Sequence, residues 1–165
     1  MQRRQILAIT ALGASSLLGA CGFRLRGKAY YAFGAIYVAP AERDTVNHFV
    51  RRMLGHQQAQ RASSAESADV VLRILQDQPS QSTEVITSSG LAQEVTLGLA
   101  VTFDAVDRQG RALMVPATIR LVRDINYSET YQLSKVAEIQ GLYRDMRIDA
   151  ARQILRRLDA VQEPR

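Results

Sequence analysis

The residue with the clearest chemical potential is Cys21, the single cysteine in 165 residues. It closes the tetrapeptide Leu18-Gly19-Ala20-Cys21. An apolar residue, two small ones and a cysteine form the bacterial lipobox, where the thiol is joined to a diacylglyceryl group. The chain is then cut before the cysteine and the new amine is usually acylated. The segment ahead suits such processing: Arg3 and Arg4 make a positive start, and Ile6 to Leu18 is mostly apolar. That run is shorter than the roughly 20 residues a membrane-spanning helix needs, and it ends in small residues as export signals do. Residues 1–20 are read as a lipoprotein signal peptide and Cys21 as the lipidation site. The alternative is a structural cysteine that happens to follow a signal peptide. No second cysteine is present for a disulfide,.

Other reactive side chains form weaker patterns. His48 and His56 lie eight positions apart, about 12 Å along a helix, which is too far for one metal ion, and no paired carboxylate accompanies them. Ser88, Ser89 and Gly90 do not make the G-x-S-x-G elbow of a hydrolase, and there is no glycine-rich phosphate loop. Neither catalysis nor a cofactor nor a metal is expected. Arg120, Arg123 and Lys135 are the candidate ligand-binding residues. Grouped at one end of a sheet, their cations could meet phosphates or sugar acids, with guanidinium forks suited to bidentate contacts. The alternative is exposed charge with no ligand, because the sequence does not bring the three together.

Removing the first 20 of the 165 residues leaves 145, a length suited to one domain with its own core,. It also removes two arginines, lowering the formal charge from +5 to +3. A mildly basic exported domain could meet anionic lipid or lipopolysaccharide, whereas nucleic acid is not an expected partner behind an export signal. Residues 21–32 read as a lipidated tether, with Arg24, Arg26 and Lys28 close to the anchor. Residues 33–165 read as a single α+β domain.

Within that domain, "FGAIYVAP" is a short strand ended by Pro40. In "AERDTVNHFVRRMLGHQQ", Val46, Phe49, Val50, Met53 and Leu54 recur at helical spacing, with basic residues late in the segment,. "RASSAESA" has loop composition. "DVVLRILQDQPSQSTEVITSSG" begins as a strand, and Pro79 places it at or near a sheet edge. From Gln93 to Val106, Val95, Leu97, Leu99, Val101, Phe103 and Ala105 alternate with polar or small residues, the pattern of a long strand with one buried face,. "DRQGR" supplies a turn, and Leu113, Val115, Ala117, Ile119 and Leu121 are expected on one face of a returning strand, with Pro116 marking a bulge or an edge. Ser134 to Val161 reads as one helix capped by Ser134, its apolar stripe running from Val136 to Val161. The expected fold is a two-layer sandwich: a mostly antiparallel four-stranded sheet with two helices packed on one face. The other face is left to Thr, Gly, Ala, Ser and charged residues.

"CGFRLRG", residues 21–27, resembles the mature start of the lipopolysaccharide-assembly lipoprotein family, LptE. Cys21, Gly22, Phe23, Leu25 and Arg26 match its pattern. The likeness continues through "LAVTFDAVD" and "LSKVAEIQGLYRDMRIDAARQILRRL". The resemblance implies an outer-membrane lipoprotein on the periplasmic side, a setting that Gly22 also suits because inner-membrane lipoproteins often carry Asp there. It implies a plug inside the large β-barrel LptD that helps the barrel fold and contacts lipopolysaccharide. It also implies that Lys135, at a basic family position, is the leading ligand contact. The loop at Ser88 to Gly90 lacks an arginine found in some relatives. The competing reading is an envelope lipoprotein that binds phospholipid or a transport complex without a barrel partner.

Overall fold

The computed structural model describes residues 33–55, 60–86, 92–126 and 132–161. In chain order the elements are β1 (Ala35–Val38), α1 (Val46–Leu54), β2 (Gln60–Arg61), β3 (Val70–Ile86), β4 (Ala92–Asp107), β5 (Ala112–Asn126) and α2 (Gln132–Asp159). They form one sheet in the order β2-β1-β3-β4-β5.

The sheet departs from the expected one in two respects. It has a fifth strand, the two-residue β2 at the start of the segment expected to be loop, and it is mixed because β1 runs parallel to both β2 and β3. The parallel direction follows from α1, which carries the chain back along the sheet before β2 and β3 begin. The long ladders β3-β4 and β4-β5 are antiparallel.

The alternation in β4 produces the core. Leu97, Val101, Phe103 and Ala105 are fully buried, and Val95 and Leu99 nearly so. Against that face pack Val46, Phe49, Val50 and Leu54 of α1 and Met146, Ala150, Ala151, Ile154, Leu155 and Leu158 of α2. Both helices therefore cover the same side of the sheet. Thr45 starts α1 by accepting the His48 backbone N–H at 3.3 Å, and Arg51 and Arg52 in its last turn oppose the helix dipole,. The helix α2 begins at Gln132, so Ser134 falls in its first turn and not at the cap. Val136, expected on the buried stripe, is 59% exposed. Farther along α2, Arg144 meets Asp44 in the segment entering α1.

Bulges interrupt the simple period. The β3-β4 register shifts between Ile74 and Gln76, leaving Leu75 52% exposed. β3 nevertheless continues through Pro79, because β1 pairs it only as far as Leu72 and an edge tolerates a missing N–H. In β5 the register shifts as Ala117 gives way to Met114 opposite β4. Pro116 sits in that bulge as expected, but Val115 does not share the buried face and is 73% exposed.

Asp77 ties the two layers together. It accepts the Val46 backbone N–H at 3.0 Å and faces Arg147 Nε at 3.0 and 3.2 Å. Arg147 is only 19% exposed, so Asp77→Ala would leave a desolvated cation and an unsatisfied helix N–H. The expected cost is about 2–3 kcal/mol, read as a lower urea midpoint at an unchanged denaturant slope.

Candidate functional site

The sheet face opposite the helices is an organised polar surface. It follows from strand parity: every residue between two core positions of β4 points away from the helices. Across the three long strands the rows read Gln76, Thr102 and Thr118; Gln78, Ala100 and Arg120; Ser80, Gly98 and Val122; and Ser82, Thr96 and Asp124. Hydrogen bonds cross these rows. The Thr102 and Thr118 hydroxyls lie 3.0 Å apart, Gln76 Nε2 donates to Gln78 Oε1 at 2.8 Å, and Thr96 Oγ1 donates to Asp124 Oδ1 at 2.7 Å. Gly98 and Ala100 keep the middle of the face low. A Cβ on Gly98 would stand 2.4 Å from Ser80 Oγ, so the hydroxyl occupies the space a side chain would need.

At the β2-proximal end of this face Asp104 is 5% exposed, although alternation places it on the outer side. Arg73 covers it, donating from Nε at 2.7 Å and Nη2 at 2.5 Å, and the carboxylate raises the affinity of the guanidinium for its proton. The nearby turn closes a shallow cavity of about 260 Å³ lined by Phe33, Asp69, Asp107, Arg108, Gln109, Arg111 and Leu113. Gly110 adopts φ +80° at the turn, a conformation that favours glycine. Asp107 accepts the backbone N–H of Gln109 at 2.9 Å and of Arg111 at 2.8 Å, and pairs with Arg111 Nε at 2.5 Å. Desolvation pushes the Asp107 carboxyl upward, but the Arg111 N–H and guanidinium outweigh it and hold it below the usual carboxylate range.

A carboxyl depressed in the folded state contributes stability that is complete above its unfolded pKa and is lost as pH falls through its folded value. Thermal unfolding is therefore expected to soften below roughly pH 4, the ordinary aspartate range. Asp107→Asn should flatten that dependence. Scanning the unfolding temperature of both proteins against pH checks it.

The candidate cations do not stand together. Arg120 lies on the uncovered face opposite Ala100, is exposed, and makes no ion pair among the described residues. Arg123 is in register with the core residue Leu97, so it points to the helix side, where its Nη2 lies 3.5 Å from Asp149 of α2. Lys135 is in the first turn of α2, and its side chain lies outside the described residues. Cys21, His56 and Ser88 to Gly90 also lie outside them. His48 packs edge-on against Phe49 at 5.4 Å. No group of three His, Cys, Asp or Glu side chains that could hold a metal ion occurs among the described residues.

A layer of helices on one side of a long sheet, with a hydroxyl- and amide-rich face left open on the other, defines a two-layer α+β domain with an extended polar face. The chain belongs to the LptE family: the family model described as lipopolysaccharide-assembly matches residues 33–158. Its role accordingly lies in lipopolysaccharide assembly. Three solved structures are similar. Lipoprotein B from Nitrosomonas europaea is 28% identical, with 84% of this chain and 91% of that one covered and a TM-score of 0.69. A minor lipoprotein from Acinetobacter baumannii is 27% identical over 76% of this chain and 90% of that one, at a TM-score of 0.60. Rare lipoprotein B from Shewanella oneidensis, 24% identical over 76% of this chain and 94% of that one, has the same fold at a TM-score of 0.64. No match was found among curated proteins.

Proposed function

We propose that this chain is a non-enzymatic outer-membrane lipoprotein, anchored at Cys21, that plugs an LptD-type β-barrel, assists its assembly and contacts lipopolysaccharide on its way to the outer leaflet. In this reading residues 1–20 are removed, 21–32 form the tether and the rest is one domain. The observation that carries it is the open face of β3, β4 and β5. Its Gln, Ser and Thr rows suit the polar interior of a transmembrane barrel, and its low centre at Gly98 and Ala100 allows close approach of a wall. A rigid domain that binds the assembled barrel and not the unfolded chain stabilises the assembled state by mass action. Among the described residues no helix is long and apolar enough to cross a membrane.

For lipopolysaccharide, Arg120 offers a guanidinium with no ion pair among the described residues on the open face, and Lys135 lies in the first turn of α2. Arg123 contributes only if it leaves Asp149. Photocrosslinkers at Thr96, Ala100, Thr102 and Lys135 in the full chain test the reading, with Arg152 on the helix side as the comparison. Adducts to one large heat-modifiable barrel from the sheet positions, and to lipopolysaccharide from Lys135, are expected. Capture of phospholipid or soluble periplasmic proteins alone would replace it with the barrel-free envelope lipoprotein.

A further inference from the structure

We propose that the end of the domain where the chain enters at Phe33 is a second binding surface, which rests on the anionic head groups of the phospholipid leaflet. The proposal relies on the reading above for the anchor at Cys21, and its own basis is the distribution of charge along the molecule.

Element direction sets that distribution. α1 leaves the far end of β1 and returns to β2, which is in register with Ala35 and Ile36, so the C-terminus of α1 faces the Phe33 end. α2 points the same way: its Tyr143 hydroxyl donates to the Ser80 carbonyl at 2.6 Å, whereas Arg157, near its C-terminus, stands 5.8 Å over the Phe103 ring. Ser80 lies far along β3, while Phe103 is opposite Ile74 near its start. Both helices thus bring their last turns, with Arg51 and Arg52 on one and Arg156 and Arg157 on the other, toward one end. Arg61 on β2 joins them from the sheet edge.

The acids at this end do not balance these cations. Asp69 is engaged by Arg108 at 3.0 Å and Asp107 by Arg111 at 2.5 Å. Among the described residues that leaves Glu66 and Asp159 against Arg51, Arg52, Arg61, Arg156 and Arg157, of which Arg51 turns back to donate to the Val38 carbonyl at 2.5 Å. Of these arginines, Arg52, Arg61, Arg156 and Arg157 are exposed. Opposition to the helix dipoles accounts for the arginines of the last turns, but it does not account for Arg61.

Farther along the molecule four arginines are paired instead, while Arg43 and Arg120 make no ion pair among the described residues. Arg144 meets Asp44, Arg147 meets Asp77, and Arg123 and Arg152 share Asp149. The chain from Cys21 to Phe33 spans at most ~40 Å when extended. The arginine-rich end is therefore the one that the anchor holds near the membrane, where juxtamembrane cations are attracted to anionic lipid. The occupant is a bilayer, because the exposed arginines are spread over two helix ends and a strand edge and not gathered round a pocket.

The test uses the mature chain with Cys21→Ser, exported behind an ordinary cleavable signal so that no acyl chain contributes. Vesicles of phosphatidylcholine alone and with one third phosphatidylglycerol are the probes. Binding is expected only to the anionic vesicles. It should weaken with salt and fall about tenfold or more in the Arg52→Gln, Arg61→Gln, Arg156→Gln triple variant. Arg43→Gln, an exposed position at the opposite end of the domain, should bind as the parent does, and matching urea midpoints show that all the variants are folded. Equal binding by the triple variant and its parent, which would assign the attraction to the tether cations, overturns the proposal, as does equal binding to both vesicles. The mass of the chain exported with its own signal decides the anchor separately. A missing diacylglyceryl group there would remove the lipidation reading and leave the vesicle result standing.

Discussion

Phe103→Ala is expected to remove most of the stability of the domain. Phe103 has no exposed surface, pairs with Ile74 on one side and Ala117 on the other, and carries the Arg157 guanidinium 5.8 Å above its ring. Both neighbouring ladders shift register beside it, between Ile74 and Gln76 in β3 and between Ala117 and Met114 in β5. The ring therefore fills the space where three strands change pairing. Truncating a buried Phe to Ala costs about 3–5 kcal/mol, against a total of roughly 5–15 kcal/mol for a domain. Urea unfolding should show a large drop in midpoint at a similar slope, while Phe103→Leu, which keeps most of the volume, should lose far less. A Phe103→Ala midpoint close to that of the parent would mean that the centre of β4 is not the centre of the core. Under the proposed role as a plug the consequence is direct: an unfolded domain has no surface to offer a barrel.

The burial of Phe103 was legible from sequence because β4 keeps a strict period of two from Val95 to Ala105. The same reasoning failed at Val115, where the expected period crosses a bulge. A register shift is a property of two strands, and the sequence of β5 alone marks it only with Pro116. The parallel pairing of β1 was hidden for a related reason. Hydrophobic pattern reports which face is buried and says nothing of strand direction, which depends here on the return path through α1. β2 is two residues long and has no pattern to report. Asp104 occupies a position that alternation assigns to the open face, and it is buried by Arg73 from another strand.

Arg120 and Arg123 are three positions apart on one strand, and the period of two alone separates them to opposite faces. Their division is thus legible in "IRLVRD" as soon as that segment is taken as strand. What sequence did not show is the partner that engages Arg123, since Asp149 lies on α2. Asp77 was hidden because a lone aspartate in a polar strand has no signature. Its importance comes from Arg147 and the Val46 N–H, seventy residues later and thirty-one earlier in the chain.

Cys21→Ser is expected to change where the protein resides without changing how stably it folds. In the proposed lipidation of Cys21 the diacylglyceryl group joins the thiol before the chain is cut, so a serine would block both steps. With its own signal, the variant should keep all 165 residues and remain with the inner membrane through the uncut apolar segment. Behind an ordinary cleavable signal it should be released as a soluble periplasmic protein, because anchoring by two or three acyl chains, at about 0.8 kcal/mol per buried CH₂, has been removed. The arginine-rich end does not replace the anchor, since its attraction is screened by salt over about 8–10 Å, so high salt should strip any residual membrane-bound fraction. The folded domain should unfold at the same urea concentration as the parent. Intact mass and membrane fractionation read the two variants together. A Cys21→Ser chain that is still cut before residue 21 and still pellets with the outer membrane in high salt would show that the cysteine is structural and that something other than acyl chains holds the protein there.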